Sequence, residues 1–430
     1  MEPILTRNIG PGRTPPALKE YEAAGGYAAL RDVVPRRPPA TIVQAVLDSG
    51  LRGRGGAGFP TGVKWKALPP LAGSARPRVL ACNYDEMEPG TYKDRFLVEG
   101  DPHQLIEGMI LAAWACQCDV GYIFVRGEYR RSLALLEHAV GEAAAAGYVG
   151  GDVLGSGWRF DLHLHESAGR YMCGEETGLL NALEGRRATP RAKPPFPMTV
   201  GAWGLPTVVN NVETLCNVPH IAARGADWFK GLGRAKDSGT KIYGMSGRVK
   251  RPHCVELPMG TPLRELLDEM GGMQDGYRFR AALPGGASTR FLGPDQLDVP
   301  LDFASLAAIN RFLGTGTAVV LDDHTCVVDL ARNLERFYAR ESCGWCTPCR
   351  EGLPWLEAIL ADLHAGRGRP GDVELIEEQG EMIGPHTFCA LATGAIFPLE
   401  SSLELFRDEY EDHIRLGRCP LDKGTLGGSL

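Results

Sequence analysis

Cys343, Cys346 and Cys349 follow one another at three-residue spacing, and Cys389 stands forty residues later in His386-Thr387-Phe388-Cys389. A C-x₂-C-x₂-C run places three thiolates on one tight loop, converging on a single inorganic centre. Cys389 lies between two expected helices and could supply the fourth ligand. Four cysteines in a three-plus-one pattern suit a [4Fe–4S] cube, whose corner irons each take one thiolate. Zinc more often takes paired C-x₂-C units or added histidine, so a zinc knot is the competing assignment. Cys82, Cys116, Cys118, Cys173, Cys216, Cys254 and Cys326 are expected to be small apolar core residues. The chain begins without a charged-then-apolar leader, so its 12 cysteines are expected in a reducing compartment, where close spacing means metal or redox work.

The second signal is glycine. The chain holds 55 glycines in 430 residues, against about 30 at the usual 7%. They concentrate in Gly53-Arg54-Gly55-Gly56-Ala57-Gly58, a formal G-x-G-x-x-G. A dinucleotide fingerprint should follow a strand and open a helix. This loop follows a helical pattern at 41–49 and runs into Phe59-Pro60-Thr61-Gly62, which reads as a helix break. It remains a candidate phosphate cradle, with backbone N–H groups turned to a ligand and Arg54 and Lys64 adding charge. Three further segments are dense in acid and amide: 83–90 with Asn83, Asp85, Glu86 and Glu88; 171–177 with Tyr171, Gly174, Glu175 and Glu176; and 210–214 with Asn210, Asn211 and Thr214. The first follows a strand directly, at the end where α/β sheets bind ligands. Lys193-Pro194-Pro195-Phe196-Pro197 reads as a stiff loop with an aromatic tip, able to stack on a ring or to serve as a linker.

Elements that would position these residues can be read from periodicity. Residues 1–40, rich in Pro and Gly, read as a surface-hugging arm. From 41 to 238, helices expected at 41–49, 105–115 and 131–146 alternate with strands at 78–82, 121–126 and 159–164, the pattern of an α/β sheet with crossovers. From 239 to 324, strand, turn, strand and helix followed by further strands suit a small β-grasp domain. From 325 to 416 the period turns helical at 327–341, 353–365, 372–382 and 403–414, which predicts a four-helix bundle. Residues 417–430 read as a loose tail. The balance of 46 basic and 53 acidic residues, −7 overall, without a basic block excludes nucleic acid as the main partner. The most apolar stretch, 109–125, is interrupted by Gln117 and Asp119 and is no membrane span.

The stretches GLRGRGGAGFPTGVKWK, NYDEMEPGTYKDR, GRYMCGEETGLLNALEGRR, KPPFP, PTVVNNVETLCN and ESCGWCTPCREG together resemble the NADH-binding flavoprotein subunits of bacterial respiratory complex I, collinearly over 40–415. The resemblance implies a Rossmann-like FMN- and NADH-binding α/β domain, a ubiquitin-like β-grasp domain and a helical bundle with a [4Fe–4S] cluster on Cys343, Cys346, Cys349 and Cys389. It implies FMN contacts from Gly53, Arg54, Lys64, Asn83, Asp85, Glu86, Gly174, Asn210, Asn211 and Thr214. NAD(H) contacts would come from Gly56, Phe59, Glu88, Glu175, Glu176, Lys193 and Phe196, with Gly55, Ala57, Gly58 and Tyr171 completing the cofactor-binding loops. Tyr84, Ala67 and Gly178 depart from the family's usual residues.

The activity implied is NADH:quinone oxidoreduction: hydride passes from NADH to FMN and single electrons go on through the cluster, with no catalytic acid or base. The implied partners are other peripheral-arm subunits, among them a small [2Fe–2S] subunit and a large multi-cluster iron–sulfur subunit. The implied location is the cytoplasmic face of the bacterial inner membrane, reached only through those partners. Two alternatives stand beside it: the diaphorase subunit of an NAD-reducing hydrogenase or NAD-dependent formate dehydrogenase, and a non-catalytic iron–sulfur scaffold.

Overall fold

A computed structural model of the chain describes residues 2–73 and 76–421. Helices α1 (Leu18–Ala23), α2 (Ala28–Arg36), α3 (Pro39–Asp48) and α4 (Thr61–Lys66) lead into a parallel sheet of β1 (Val79–Tyr84), β2 (Val120–Val125), β3 (Asp161–Glu166) and β4 (Thr207–Asn211), in the order β3-β2-β1-β4. The helices between and after the strands are α5 (Lys93–Gly100), α6 (Pro102–Cys116), α7 (Arg130–Ala145), α8 (Glu176–Leu183), α9 (Val212–Arg224) and α10 (Ala226–Lys230). Side chains alternate across β1, as the pleat requires. Leu80, Cys82 and Tyr84 enter the main core with α6 and α9, whereas Val79 and Ala81 pack with Phe124, Leu179 and Leu180 on the α8 face. With apolar layers on both sides, the strands read as near-continuous apolar runs, the mark of a buried parallel sheet.

Residues 4–36 are not a surface arm. Leu5, Tyr21, Tyr27, Leu30 and Val33 are buried in the main core, and Glu107 ties the segment down by accepting from the Tyr21 hydroxyl at 2.7 Å and the Tyr27 N–H at 2.9 Å. Apolar residues at helical spacing outweigh the prolines at the segment's ends.

The second sheet, β5 (Thr240–Gly247), β6 (Cys254–Pro258), β7 (Phe279–Leu283) and β8 (Thr317–Asp322), has the order β6-β5-β8-β7. Its central pair β5/β8 is parallel and its flanking pairs are antiparallel. Helices α11 (Leu263–Glu269) and α12 (Phe303–Ala307) accompany it, an arrangement that matches the expected β-grasp. The bundle comprises α13 (Val327–Glu341), α14 (Thr347–His364), α15 (Asp372–Ile383) and α16 (Ala390–Leu416) around Leu353, Leu356, Leu360, Ile376 and Leu399. Helices α14 and α16 begin earlier than periodicity suggests. Cys346 and Cys389 occupy their N-cap positions, and internal Pro354 and Pro398 break the apolar pattern without ending the helices. Cys349 therefore sits in the first turn of α14, not on a loop. Of the 417–430 tail, residues 422–430 lie outside the described residues, while Gly417 caps α16 in the left-handed conformation.

Helix α6 is buried on nearly every side and crosses α9 closely. A Cβ at Gly108 would lie 2.2 Å from the carbonyl oxygen of Leu215. Alanine in a helix is favoured over glycine by about 1 kcal/mol, but overpacking against immovable backbone costs about 1–3 kcal/mol or more. The clash wins. Gly108→Ala should lower the midpoint of thermal unfolding by roughly 3–8 °C, whereas a rise would show that α6 and α9 can separate freely.

Candidate functional site

The strand order reverses between β1 and β4: the chain leaves β1 to add β2 and β3 on one side, then returns to lay β4 on the other. At such a switch point the connections diverge and leave a crevice at the carboxyl ends of the strands. Here β1 ends in Asn83 and Tyr84 and runs on into Asp85, while β4 ends in Asn210 and Asn211, with Asn83 paired in register to Asn211. The glycine-rich loop lies over this point, between α3 and α4 and not behind a strand. Thr61 opens α4 instead of breaking a helix. A Cβ on Gly55 would sit 3.0 Å from the Cβ of Asn211, and Gly56 and Gly58 hold φ of +128° and +65°, so loop and strand end approach as only glycine readily permits. Asn211 also N-caps α9 by accepting from Glu213 N–H at 3.0 Å. The positive end of a 13-residue helix thus faces the loop.

Beneath the loop is a buried charge network that nothing in the sequence pattern announces. Lys93 contacts Asp94 at 2.7 Å and Glu213 at 2.9 Å, and Lys241 contacts Glu213 at 2.5 Å. Asn211 joins it, donating to Asp94 at 2.6 Å and accepting from Lys93 at 3.3 Å. The guanidinium of Arg54 is fully buried and turns inward, donating to the carbonyls of Ser238 at 2.9 Å and Thr240 at 3.1 Å. Its Nε and Nη1 find no hydrogen-bond partner among the described residues, and its backbone N–H donates to Thr214 Oγ1 at 2.8 Å. Burial pushes Lys241 down to about 7 despite Glu213, whereas Asp94 and Glu213 hold Lys93 above the usual lysine value against burial. Arg54, Lys93 and Lys241 are thus matched by Asp94, Glu213 and the neighbouring Glu86, so the network is close to balanced. An anion such as phosphate is favoured by the loop's backbone N–H groups and the α9 N-terminus.

Asp85 is the clearest acceptor for a ligand's donors. Among the described residues neither carboxylate oxygen finds a hydrogen-bond partner, although Asp85 is buried. Burial pushes its pKa up to about 7, with Ser167 and Arg126 only partly opposing it. An unpaired buried carboxylate is costly and suits hydroxyl or N–H donors of a bound molecule. Asn83 donates to the Gly174 carbonyl at 2.8 Å, and Asn210 accepts from Trp65 Nε1 at 2.8 Å. These features fit an FMN phosphate at the loop and the polyol chain and ring at the strand ends.

Four expected residues form one ion-pair relay at the rim. Lys64 bridges Glu176 Oε2 at 3.0 Å and the Val209 carbonyl at 3.2 Å, and Lys193 bridges Glu176 Oε1 at 2.7 Å and Glu175 Oε1 at 3.2 Å. Glu175 caps α8 by accepting from the N–H groups of Thr177 and Gly178, both at 2.8 Å. Burial would raise the pKa of Glu176, but Lys64 and Lys193 outweigh it and hold the carboxyl below its usual value. Phe59 and Phe196 are half exposed, free to meet a ring. Glu86 and Glu88 have different engagements: both oxygens of each are held by protein donors. Glu86 accepts from the N–H groups of Asp94 and Arg95 at 2.7 and 3.1 Å. Glu88 accepts from the Tyr171 hydroxyl at 2.6 Å and Ser288 N–H at 2.5 Å, which joins the cleft to the β-grasp domain. Tyr84 points away from the cleft, donating to Ser132 at 2.8 Å.

The Tyr171 segment also reaches the bundle. Its N–H donates to Glu341 at 2.9 Å, its ring meets Phe337 and Tyr338 edge-on at 5.2 and 6.0 Å, and Arg170 pairs with Glu341 at 3.2 Å. Arg187 donates to the Cys343 carbonyl at 3.0 Å. Cys343 follows α13, Cys346 caps α14, Cys349 lies in its first turn, and Cys389 caps α16. Two helix N-termini thus favour anionic sulfur. Burial pushes the Cys389 thiol up to about 11, with Cys343 and Cys349 nearby adding to the rise. An all-cysteine set on three helix ends fits a [4Fe–4S] cluster.

Two variants test this geometry. In flavin-free protein, a carboxyl whose folded pKa lies near 7, above its unfolded 3.8, leaves stability intact below the unfolded value and erodes it as pH rises through the folded one. Asp85→Asn should therefore stabilise the flavin-free chain at pH 8, by at most about 4 kcal/mol, with the gain vanishing towards pH 4, while FMN affinity falls. An equal gain at both pH values would refute the buried-charge reading. Cys389→Ser should remove most of the iron while flavin content persists; a full four-iron complement in that variant would dismiss Cys389 as a ligand.

Comparison with known families places all three regions. The Nuo51 FMN-binding domain matches residues 46–220, the SLBB domain 242–292, and the NADH-ubiquinone oxidoreductase-F iron-sulfur binding region 329–413. The F subunit of the Escherichia coli NADH-quinone oxidoreductase is 52% identical over 96% of this chain and 93% of its own length. An F subunit of Rhizobium meliloti is 49% identical over 97% and 99%, and that of Mycobacterium bovis 47% over 94% and 91%. Among solved structures, an NAD+-reducing [NiFe]-hydrogenase in the H2-reduced state superposes with a TM-score of 0.83 at 36% identity, over 95% of this chain and 67% of that one. With three families matched in order and relatives about half identical along nearly the whole chain, the protein belongs to the F-subunit family of the NADH-quinone oxidoreductases.

Proposed function

We propose that this chain is the NADH-oxidising flavoprotein of a respiratory quinone-reducing complex. The observation that carries the reading is the bracing of the Tyr171–Glu176 segment. One side of it lines the switch-point cleft, and the other packs on the helix that leads to Cys343. When bound, FMN accepts a hydride and releases electrons singly, which a [4Fe–4S] cluster takes one at a time.

The protein's own part is positioning. The 53–58 loop and α9's N-terminus hold the flavin phosphate, braced from beneath by Arg54, Lys93 and Lys241. Asp85, Asn83 and Asn210 orient the polyol chain and ring, and Thr214 secures the loop through Arg54 N–H. Phe59 and Phe196 offer rings to the adenine, and Glu176, held between Lys64 and Lys193, faces the adenosine ribose. Glu86 and Glu88 act as positioning residues, since their oxygens are already committed. No side chain is assigned proton transfer.

The likeness to an NAD+-reducing hydrogenase supports a diaphorase role as the second reading, but 36% identity there against 52% for the Escherichia coli quinone-reducing relative favours the first. Membership of this family implies a multisubunit complex. A small [2Fe–2S] subunit and a large multi-cluster subunit are the proposed neighbours. No helix among the described residues is long and apolar enough to cross a membrane. The proposed site is the cytoplasmic face of the bacterial inner membrane, held there through partners.

Purified chain reconstituted with FMN should oxidise NADH with an artificial acceptor; a preparation that binds no flavin would favour the scaffold alternative. Glu176→Gln tests cofactor choice. Like charges about 4 Å apart repel by about 1 kcal/mol in water and about 4 kcal/mol in a partly desolvated cleft. Removing the Glu176 charge also leaves Lys64 and Lys193 free to attract a 2′-phosphate. The ratio of kcat/KM for NADPH to that for NADH should rise by roughly one to three orders of magnitude at low salt. A ratio within about twofold of wild type would move the selectivity elsewhere.

A further inference from the structure

The bundle has a second end. Helices α13, α14 and α16 each carry a cluster cysteine at or beside one terminus, and at the opposite termini they bring together Cys326, His364, His413 and the tail residue Cys419. Spacing along the chain places Cys326 in the apolar core and makes 417–430 a loose tail. Instead, one ligand atom from each of the four lies within 4.8 Å of every other. Cys326 Sγ is 3.4 Å from His413 Nε2 and 3.9 Å from His364 Nδ1. A tetrahedral zinc with bonds of about 2.3 Å to sulfur and 2.0 Å to nitrogen sets its sulfur and nitrogen ligands about 3.5 Å apart. Both sulfur–nitrogen separations from Cys326 lie close to that value, and the whole group stays within 4.8 Å.

The supporting contacts also suit a metal. His413 is buried, with Nδ1 2.7 Å from the Glu409 carbonyl, so Nε2 is left for coordination. His364 offers Nδ1 to the group while Nε2 faces Asp329 Oδ1 at 3.7 Å, a carboxylate–histidine pairing of the kind that orients zinc ligands. Cys326 caps α13 and accepts from Asp329 N–H at 3.4 Å, which fixes the sulfur at the helix end. The tail is drawn in by a close backbone approach: a Cβ on Gly366 would stand 2.1 Å from the Gly417 carbonyl oxygen, so the ends of α14 and α16 meet as only glycine allows. A Rieske [2Fe–2S] centre, with cysteines on one iron and histidines on the other, would separate sulfur from nitrogen more than is seen here.

We infer that Cys326, His364, His413 and Cys419 form a Cys₂His₂ site for one divalent transition metal, zinc by ligand chemistry, at the end of the bundle opposite the cluster cysteines. Helix α13's 15 residues separate the two sites by about 22 Å, and four protein ligands make the second a closed, structural one. It fastens the segment after α16 to the start of α13. Cys326 and Cys419 fall outside the 329–413 region matched by the iron–sulfur family.

The test uses the full-length chain with its flavin and iron, purified without chelator. Elemental analysis should find about one zinc per chain beside the cluster iron, and zinc X-ray absorption should show two sulfur and two nitrogen neighbours. Cys326→Ser and Cys419→Ser should each lose at least about nine-tenths of the zinc and keep iron and flavin. Cys343→Ser should do the reverse. Asp329→Asn, with all four ligands intact, should weaken zinc about 10–100-fold against a competing chelator, and it keeps the test valid if a cysteine variant fails to fold. The inference is overturned by wild-type protein that neither contains nor takes up zinc, by full zinc retention in both cysteine variants, or by a Cys326–Cys419 disulfide in the protein as isolated.

Discussion

Glu213 is the residue on which the cleft depends. Fully buried at the start of α9, it holds Lys93 and Lys241 with one oxygen and accepts the Ile242 N–H with the other at 2.8 Å. Lys93 belongs to α5, Lys241 and Ile242 to β5, and Arg54 of the glycine loop lies close enough to depress Glu213 further. One carboxylate thus joins the α/β sheet, the β-grasp domain and the loop. Breaking a buried ion pair on one side typically costs about 3–5 kcal/mol, because the remaining charge is stranded. The network serves geometry more than stability: it keeps a helix N-terminus under a loop that only glycines could thread.

A second constraint links cleft to cluster. Glu88 and Tyr171 bond to each other in the middle of a three-way junction, with Ser288 from the β-grasp domain and Phe337 and Tyr338 from the bundle around them. The carboxyl of Glu88 is raised by burial in spite of its hydrogen bonds. That cost is sustained because the junction fixes the Tyr171–Glu176 segment, which lines the cleft and braces the bundle at once. Arg170, Glu341 and Arg187 complete the brace at the rim and tie the cluster loop to the cleft segment.

Much of this was legible beforehand. A strand expected at 78–82 and followed by Asn83-Tyr84-Asp85 placed polar groups at a strand's carboxyl end, and the three-plus-one cysteines pointed to an inorganic centre. Glu86 and Glu88 show the limit. Both sit in a motif dense in acids, yet their oxygens are spent on backbone and hydroxyl donors, a difference that depends on partners 8 and 200 residues away. Lys93 and Lys241 gave no local signal either, since an isolated lysine in sequence usually means a solvated surface. Tyr84, where the family usually has another residue, is turned by the pleat into the main core, where it donates to Ser132.

The sequence by itself determined which residue types lie near which: short-range spacing dictates helix faces, strand alternation, the cluster triad and the glycine loop, because each is set within a few residues. What only the tertiary structure decided is how distant groups meet. Cys326, His364, His413 and Cys419 span almost a hundred residues without any recognisable metal-binding interval, and they converge because the start of α13 packs beside the ends of α14 and α16. Glu213 and its lysines likewise become a network only once burial removes water and forces each charge to find a partner. Packing and desolvation act between segments, and spacing along the chain carries no trace of them.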